Sequence, residues 1–197
     1  KIENTSGKVL ITDPWYKSPA FWGSWFLCPE PNVSEDIYKT TNFIYLTHWH
    51  FDHFDYKTMR EFNKNIKIFV PQFPSSIMKQ ELVGLGFNNV IEMTQNKEYF
   101  LEENFSIISH QVEHQDDSIL IIKVDGKILV NLNDAKPLPS SWRWLIKNFK
   151  NPDFMFRSHS LAWSYPTKYT FEKEDEDFLK KETYMQEYLQ CILFLKP

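Results

Sequence analysis

The sequence predicts an α/β fold built in layers, and three observations carry that expectation. Short, β-favouring apolar runs such as Val9 to Thr12, Phe43 to Leu46 and Ile66 to Val70 alternate with segments of helical periodicity. The resulting order of strand, helix, strand, helix, strand is that of helices laid on a sheet. Farther along, Asp125-Gly126 between two apolar arms marks a hairpin. A length of 197 residues, 42% of them hydrophobic, suits one domain spanning 1–197 with a core of its own.

Taken in order, Asn4-Thr5-Ser6-Gly7-Lys8 reads as a turn and Val9 to Thr12 as a buried strand that ends in Asp13-Pro14-Trp15. A strand before Lys1 would complete the hairpin, so the fold is expected to be truncated at its start. Residues 15 to 34 place Trp15, Tyr16, Phe21, Trp22, Trp25 and Phe26 among Pro19, Gly23, Pro29 and Pro31. Proline removes a backbone donor and glycine loosens the chain, so this stretch is an aromatic loop. Its rings serve either as a wall over an active site or as cover for a core edge.

The apolar run Phe43 to Leu46 then delivers Thr47-His48-Trp49-His50-Phe51-Asp52-His53-Phe54-Asp55, which holds three of the six histidines. An ordinary turn does not concentrate so many costly polar groups. His48 and His50, two apart, can point to one side of an extended segment, with Asp52 and His53 following as the chain turns toward a helix. Neutral imidazole binds zinc and suits iron, and a neighbouring carboxylate can hold a second ion. A His and Asp set without thiolates points to a catalytic site with an open position for water.

His48-Trp49-His50-Phe51-Asp52-His53 behind an apolar strand resembles the His-x-His-x-Asp-His signature of the metallo-β-lactamase fold superfamily. The resemblance implies an αβ/βα sandwich in which His48 and His50 bind one metal, while Asp52 and His53 bind a second. It also implies that Asp13, at the end of an early strand, sits beneath the metals and supports them; the alternative is that Asp13 only caps the turn before Pro14.

Past the signature, Asp55 is placed to cap a helix from Tyr56 to about Asn63 with Met59 and Phe62 inward. Ile66 to Val70 is a strand stopped by Pro71, and Ser75 or Ser76 opens a helix to Leu85 that Gly86 ends. Val90 to Met93, Tyr99 to Leu101 and Phe105 to Ser109 are strands. His110 to Ser118 is a second chemical cluster, lying where the resembled superfamily places a further ligand of the first metal. His114 is the first choice for it and Glu113 the competitor, with a solvated loop as the plain alternative; His110 ends the preceding strand.

Ser118 to Val124 and Lys127 to Leu132 form the hairpin around Asp125-Gly126, and its second arm delivers Asn133-Asp134. The resemblance makes Asp134 the carboxylate that bridges both metals. The competing role is an N-cap, which Pro137 and Pro139 weaken by delaying the next helix to about Ser140. Trp142 to Phe149 is a short helix, and Phe154-Met155-Phe156 a short strand that presents His159, either a further ligand of the second metal or a surface histidine. From Thr170 to Leu195 an alternating charge run, read as a solvated face, leads into a helical pattern. The chain ends early for this fold, which leaves room for a last ligand beyond Pro197.

Thr12-Asp13-Pro14-Trp15, Gly23-Ser24-Trp25, Val130 to Asp134 and Ser164-Tyr165-Pro166 extend the likeness over roughly 12 to 170, toward the branch that contains the metal domain of CMP-N-acetylneuraminate hydroxylase-like proteins. The paired Cys-x-His and Cys-x-x-His ligands of a Rieske iron-sulfur module do not occur, since the only cysteines are Cys28 and Cys191.

These readings converge on a metal-dependent hydrolase. Two divalent ions, zinc first and iron or manganese as alternatives, would activate water for attack on an ester, phosphodiester or related bond, with Asp52 and Asp134 catalytic. A di-iron oxygenase using the same ligands is the second reading, and a non-catalytic ligand-binding domain the third. The expected partner is a small-molecule substrate. A net charge of −4 gives no basic footprint for nucleic acid. Two cysteines are too few for a disulfide framework and suit a cytoplasmic protein. No apolar stretch reaches the length of a membrane span, and nothing in the sequence fixes the oligomeric state. The chain opens on Lys1 rather than Met, so a leader or upstream domain can lie outside it.

Overall fold

Strand alternation decides the architecture. In the computed structural model, which describes residues 1–112, 117–158, 189 and 193, β1 (Ile2–Glu3), β2 (Val9–Thr12), β3 (Phe43–Tyr45), β4 (Lys67–Pro71) and β5 (Asn89–Met93) form one sheet in that order. β2 to β5 run parallel, and β1 is antiparallel to β2. Side chains one residue apart point to opposite faces, so Leu10, Phe43, Tyr45 and Phe69 pack to one side and Val9, Ile11, Ile44, Ile68 and Val70 to the other. A parallel sheet buried on both faces needs such continuous apolar runs.

The second sheet has the order β10 (Phe154–Phe156), β9 (Lys127–Asn131), β8 (Ser118–Val124), β7 (Phe105–Gln111) and β6 (Glu98–Glu102). It is antiparallel except that β10 runs parallel to β9. Leu101, Phe105, Ile107, Leu120, Ile122 and Leu129 meet Leu10, Phe43, Tyr45 and Phe69 in the core between the sheets.

Helices cover the outer faces. Tyr38 of α1 (Asp36–Thr40), Met59 of α2 (Tyr56–Glu61) and Leu82 of α3 (Ile77–Gly84) lie against the first sheet. Trp142 and Leu145 of α4 (Pro139–Asn148) lie against the second. The order helix, sheet, sheet, helix is the αβ/βα sandwich of the metallo-β-lactamase fold. Among the described residues, no helix is long and apolar enough to cross a membrane.

Local signals explain most boundaries. Asp55 caps α2 by accepting from Thr58 N at 2.9 Å and Thr58 Oγ1 at 2.6 Å. Gly86 takes φ +91° after α3. Asp125 and Gly126, at φ 48° and 77°, supply the positive dihedrals of a type I′ hairpin. One expectation needs correction. Ile2–Glu3, rather than a strand before Lys1, pairs antiparallel with β2 and forms the hairpin. The stretch before β3 also holds the short helix α1, whose five residues are too few to display a helical period.

Candidate metal centre

The C-terminal ends of β2, β3 and β9 and the start of β8 meet at one edge of the sandwich. The strand register brings them there, since Thr12 pairs with Tyr45 and Leu120 with Asn131. Asp13 leaves β2 at φ 43° and Asn133 follows β9 at φ 39°. Both stand in the left-handed region, which Asp and Asn tolerate better than most residues. At Asn133 the turn is fixed by bonds from Asn133 N to Asn131 Oδ1 at 3.1 Å and from Asn133 Nδ2 to Ser118 O at 2.7 Å. Asp134 is thereby aimed across at the histidine segment.

His48, His53 and Asp134 each offer one ligand atom, and these atoms lie within 4.8 Å of one another. His53 Nε2 is 3.3 Å from Asp134 Oδ2 and 3.6 Å from Asp52 Oδ2. His53 Nδ1 is 3.1 Å from Asp13 Oδ2. His48 Nε2 lies 2.8 Å from His50 Nδ1, and its Nδ1 lies 3.0 Å from Thr47 Oγ1 and 3.4 Å from Asp117 Oδ1. The structure thus gathers His48, His50, Asp52, His53, Asp134 and Asp13. Glu113, His114 and His159 lie outside the described residues. His110 is taken up elsewhere: its ring contacts Asn96 Oδ1 and Ser141 Oγ, each at 2.8 Å, and stacks on Trp144.

The environment sorts the imidazoles. Burial, reinforced by the neighbouring His53 and His50 rings, pushes His48 down to about 3, so it is neutral and has a lone pair to give. Burial also opposes charge on His53, but the hydrogen bonds with Asp13 and Asp134 outweigh it and carry His53 up to about 10. The bond with His53 holds Asp134 below its ordinary value. Burial raises Asp117 to about 7 despite the bond it accepts from Ser118 N. Without a metal, a protonated His53 between carboxylates supplies the positive charge that the site calls for. The donor set of imidazole nitrogens and carboxylate oxygens fits zinc or iron, and deprotonation of His53 would open its Nε2 to an ion.

Sequence reasoning missed Thr47 and Asp117. Thr47 is fully buried, with Asp13 on its N–H at 2.7 Å and on its hydroxyl at 2.8 Å. A small polar residue between an apolar strand and a histidine was the available signal. Beneath them Tyr45 OH meets Ser109 Oγ and Ser118 Oγ, each at 2.8 Å, and Ser118 Oγ also donates to Thr47 O at 2.8 Å.

The aromatic loop stands beside this centre. Phe51, inside the histidine segment, meets Trp22 edge to face at 4.9 Å and Phe21 at 5.6 Å. Trp22 remains 91% exposed on a backbone at φ 52°.

No family model matches the chain. A Mycolicibacterium smegmatis protein named as a Rieske 2Fe-2S iron-sulfur protein is 29% identical over 178 residues, which cover 85% of this chain and 34% of that protein. The cytidine monophosphate-N-acetylneuraminic acid hydroxylase of Mus musculus is 28% identical over 136 residues, 65% of this chain and 23% of that enzyme. This chain therefore spans about a third or less of these relatives. Among solved structures, a "possible metal-dependent hydrolase" from Veillonella parvula superposes with a TM-score of 0.61 at 16% identity, covering 76% of this chain and 64% of that one.

Proposed function

We propose that the chain is the metal-holding domain of an enzyme acting on a small molecule, with His48, His50, Asp52, His53 and Asp134 holding up to two ions. The observation that carries this reading is the convergence of His48, His53 and Asp134 from β3 and β9, distant in sequence, to within 4.8 Å. Bound ions would supply Lewis-acid activation of water, lowering its pKa toward about 7, or redox chemistry where the ion is iron. His114, Glu113 and His159 stay candidates for further ligands.

The chain's own groups have distinct tasks. Asp13 and Thr47 hold the Nδ1 edges of His53 and His48, which leaves their Nε2 edges for ligation. Asp52, near His53 Nε2, can take a proton from the attacking or transferred group. Phe51 and Trp22, whose rings meet edge to face, offer an exposed apolar surface that would receive a flat part of the substrate.

Between reaction types, the sequence relatives favour hydroxylation, since they are named as Rieske-type and hydroxylase proteins. Electrons would then come from an iron-sulfur centre for which these 197 residues carry no ligand pattern. Hydrolysis of an ester, phosphodiester or related bond is the second reading, favoured by the solved structure of a possible metal-dependent hydrolase with this fold. Metal analysis of protein purified without added ions tests both. Stoichiometric iron with a redox-sensitive absorption band supports the first, zinc with esterase or phosphodiesterase turnover supports the second, and no bound metal removes both.

A further inference from the structure

We infer that Thr47 is a positioning residue whose hydroxyl fixes the Nδ1–H tautomer of His48 and, through Asp13, joins His48 to His53. The inference rests on the proposed metal centre and assigns it a part that the ligands themselves do not supply.

Counting donors fixes the tautomer. An ionised carboxylate only accepts, and a threonine hydroxyl has a single proton. Thr47 Oγ1 lies 2.8 Å from Asp13 Oδ2, so that proton is donated there. At His48 Nδ1, 3.0 Å away, the same oxygen can then only accept, and the ring nitrogen must carry the hydrogen. With the hydrogen held on Nδ1, the position left for a ligand bond is Nε2, the atom on the His50 side. Asp13 Oδ2 also accepts from His53 Nδ1 at 3.1 Å. The chain of bonds runs from His48 through Thr47 and Asp13 to His53, and it holds each ring by its Nδ1.

Thr47 is suited to this because it has little freedom. It is fully buried, its N–H is held by Asp13 Oδ1 at 2.7 Å, and its carbonyl accepts from Ser118 Oγ at 2.8 Å. A valine would keep the shape and lose the hydroxyl; a serine would keep the hydroxyl and lose a methyl. Asp117 Oδ1, 3.4 Å from His48 Nδ1, is the rival partner for that nitrogen.

The test compares the full chain with Thr47→Val and Thr47→Ser. Nitrogen-15 correlation spectra of metal-free protein report the His48 tautomer, and zinc affinity is read by competition with a chromogenic chelator. The expected result is Nδ1–H in the wild type and in Thr47→Ser, lost in Thr47→Val, with zinc affinity falling roughly 10–100-fold in Thr47→Val alone. If Asp117 sets the tautomer instead, Thr47→Val keeps both signature and affinity, and the inference falls. A wild-type His48 protonated on Nε2 overturns it whether or not any variant folds. A wild type with the expected tautomer that binds no zinc defeats the metal centre and leaves the bonding role intact.

Discussion

Asp117 Oδ1 lies 3.4 Å from His48 Nδ1, with the two side chains only 8% and 3% exposed. A buried acid beside a neutral imidazole is unfavourable when ionised, which is why Asp117 rises from 3.8 to about 7. For an acid whose folded value is raised, the folded state keeps its proton longer than the unfolded chain does. Stability is therefore lost as pH climbs from about 4 to about 7. His48, held down at about 3, contributes the opposite slope over much of this range in both proteins, so denaturant titrations of metal-free protein should show wild-type stability falling relative to Asp117→Asn as pH climbs; a constant gap between the two would dismiss the assignment.

His53 has the complementary dependence. Its folded value is raised to about 10, so the stability it lends is complete below the ordinary histidine value and is lost as pH rises through about 10. His53→Gln should remove that alkaline segment from the stability profile of the metal-free chain. A wild-type profile already flat above pH 7 would contradict it.

Replacement of Asp134 by Ala leaves the His53 edge without one of its two strong acceptors and removes a proposed metal donor. Metal content after dialysis should drop below that of the wild type, and any turnover should fall by more than the roughly 10–100-fold typical of losses in outer partners. The fold should persist, because Asp134 is a part-exposed loop residue.

Much of the sandwich was legible in the sequence because burial on two faces leaves an unbroken apolar run, as at Val9 to Thr12 and Phe43 to Leu46. Capping chemistry likewise exposed the start of α2 at Asp55, and the Asp125-Gly126 pair exposed the hairpin. The histidine segment could be read because its residues are neighbours in the chain. Thr47 and Asp117 could not, since their roles depend on meeting across two sheets whose pairing no local pattern states. Ile2–Glu3 was invisible for another reason: two residues cannot display a period.

Tyr45→Phe should separate scaffold from chemistry. The hydroxyl is wholly buried between Ser109 and Ser118, so its loss strips both serines of a partner and should cost about 1–3 kcal/mol in chemical denaturation. Metal affinity should change little as long as Ser118 keeps its bond to the Thr47 carbonyl. A large affinity loss without a stability loss would show that the hydroxyl serves the centre directly.

Asp13 follows β2 directly and reaches Thr47 and His53, so the β1–β2 hairpin belongs to the proposed chemistry as much as to the scaffold. Anyone trimming this hairpin away for expression would excise the anchor under two proposed ligands. A shortened clone starting past Pro14 could keep its histidine signature intact and still come off the column empty.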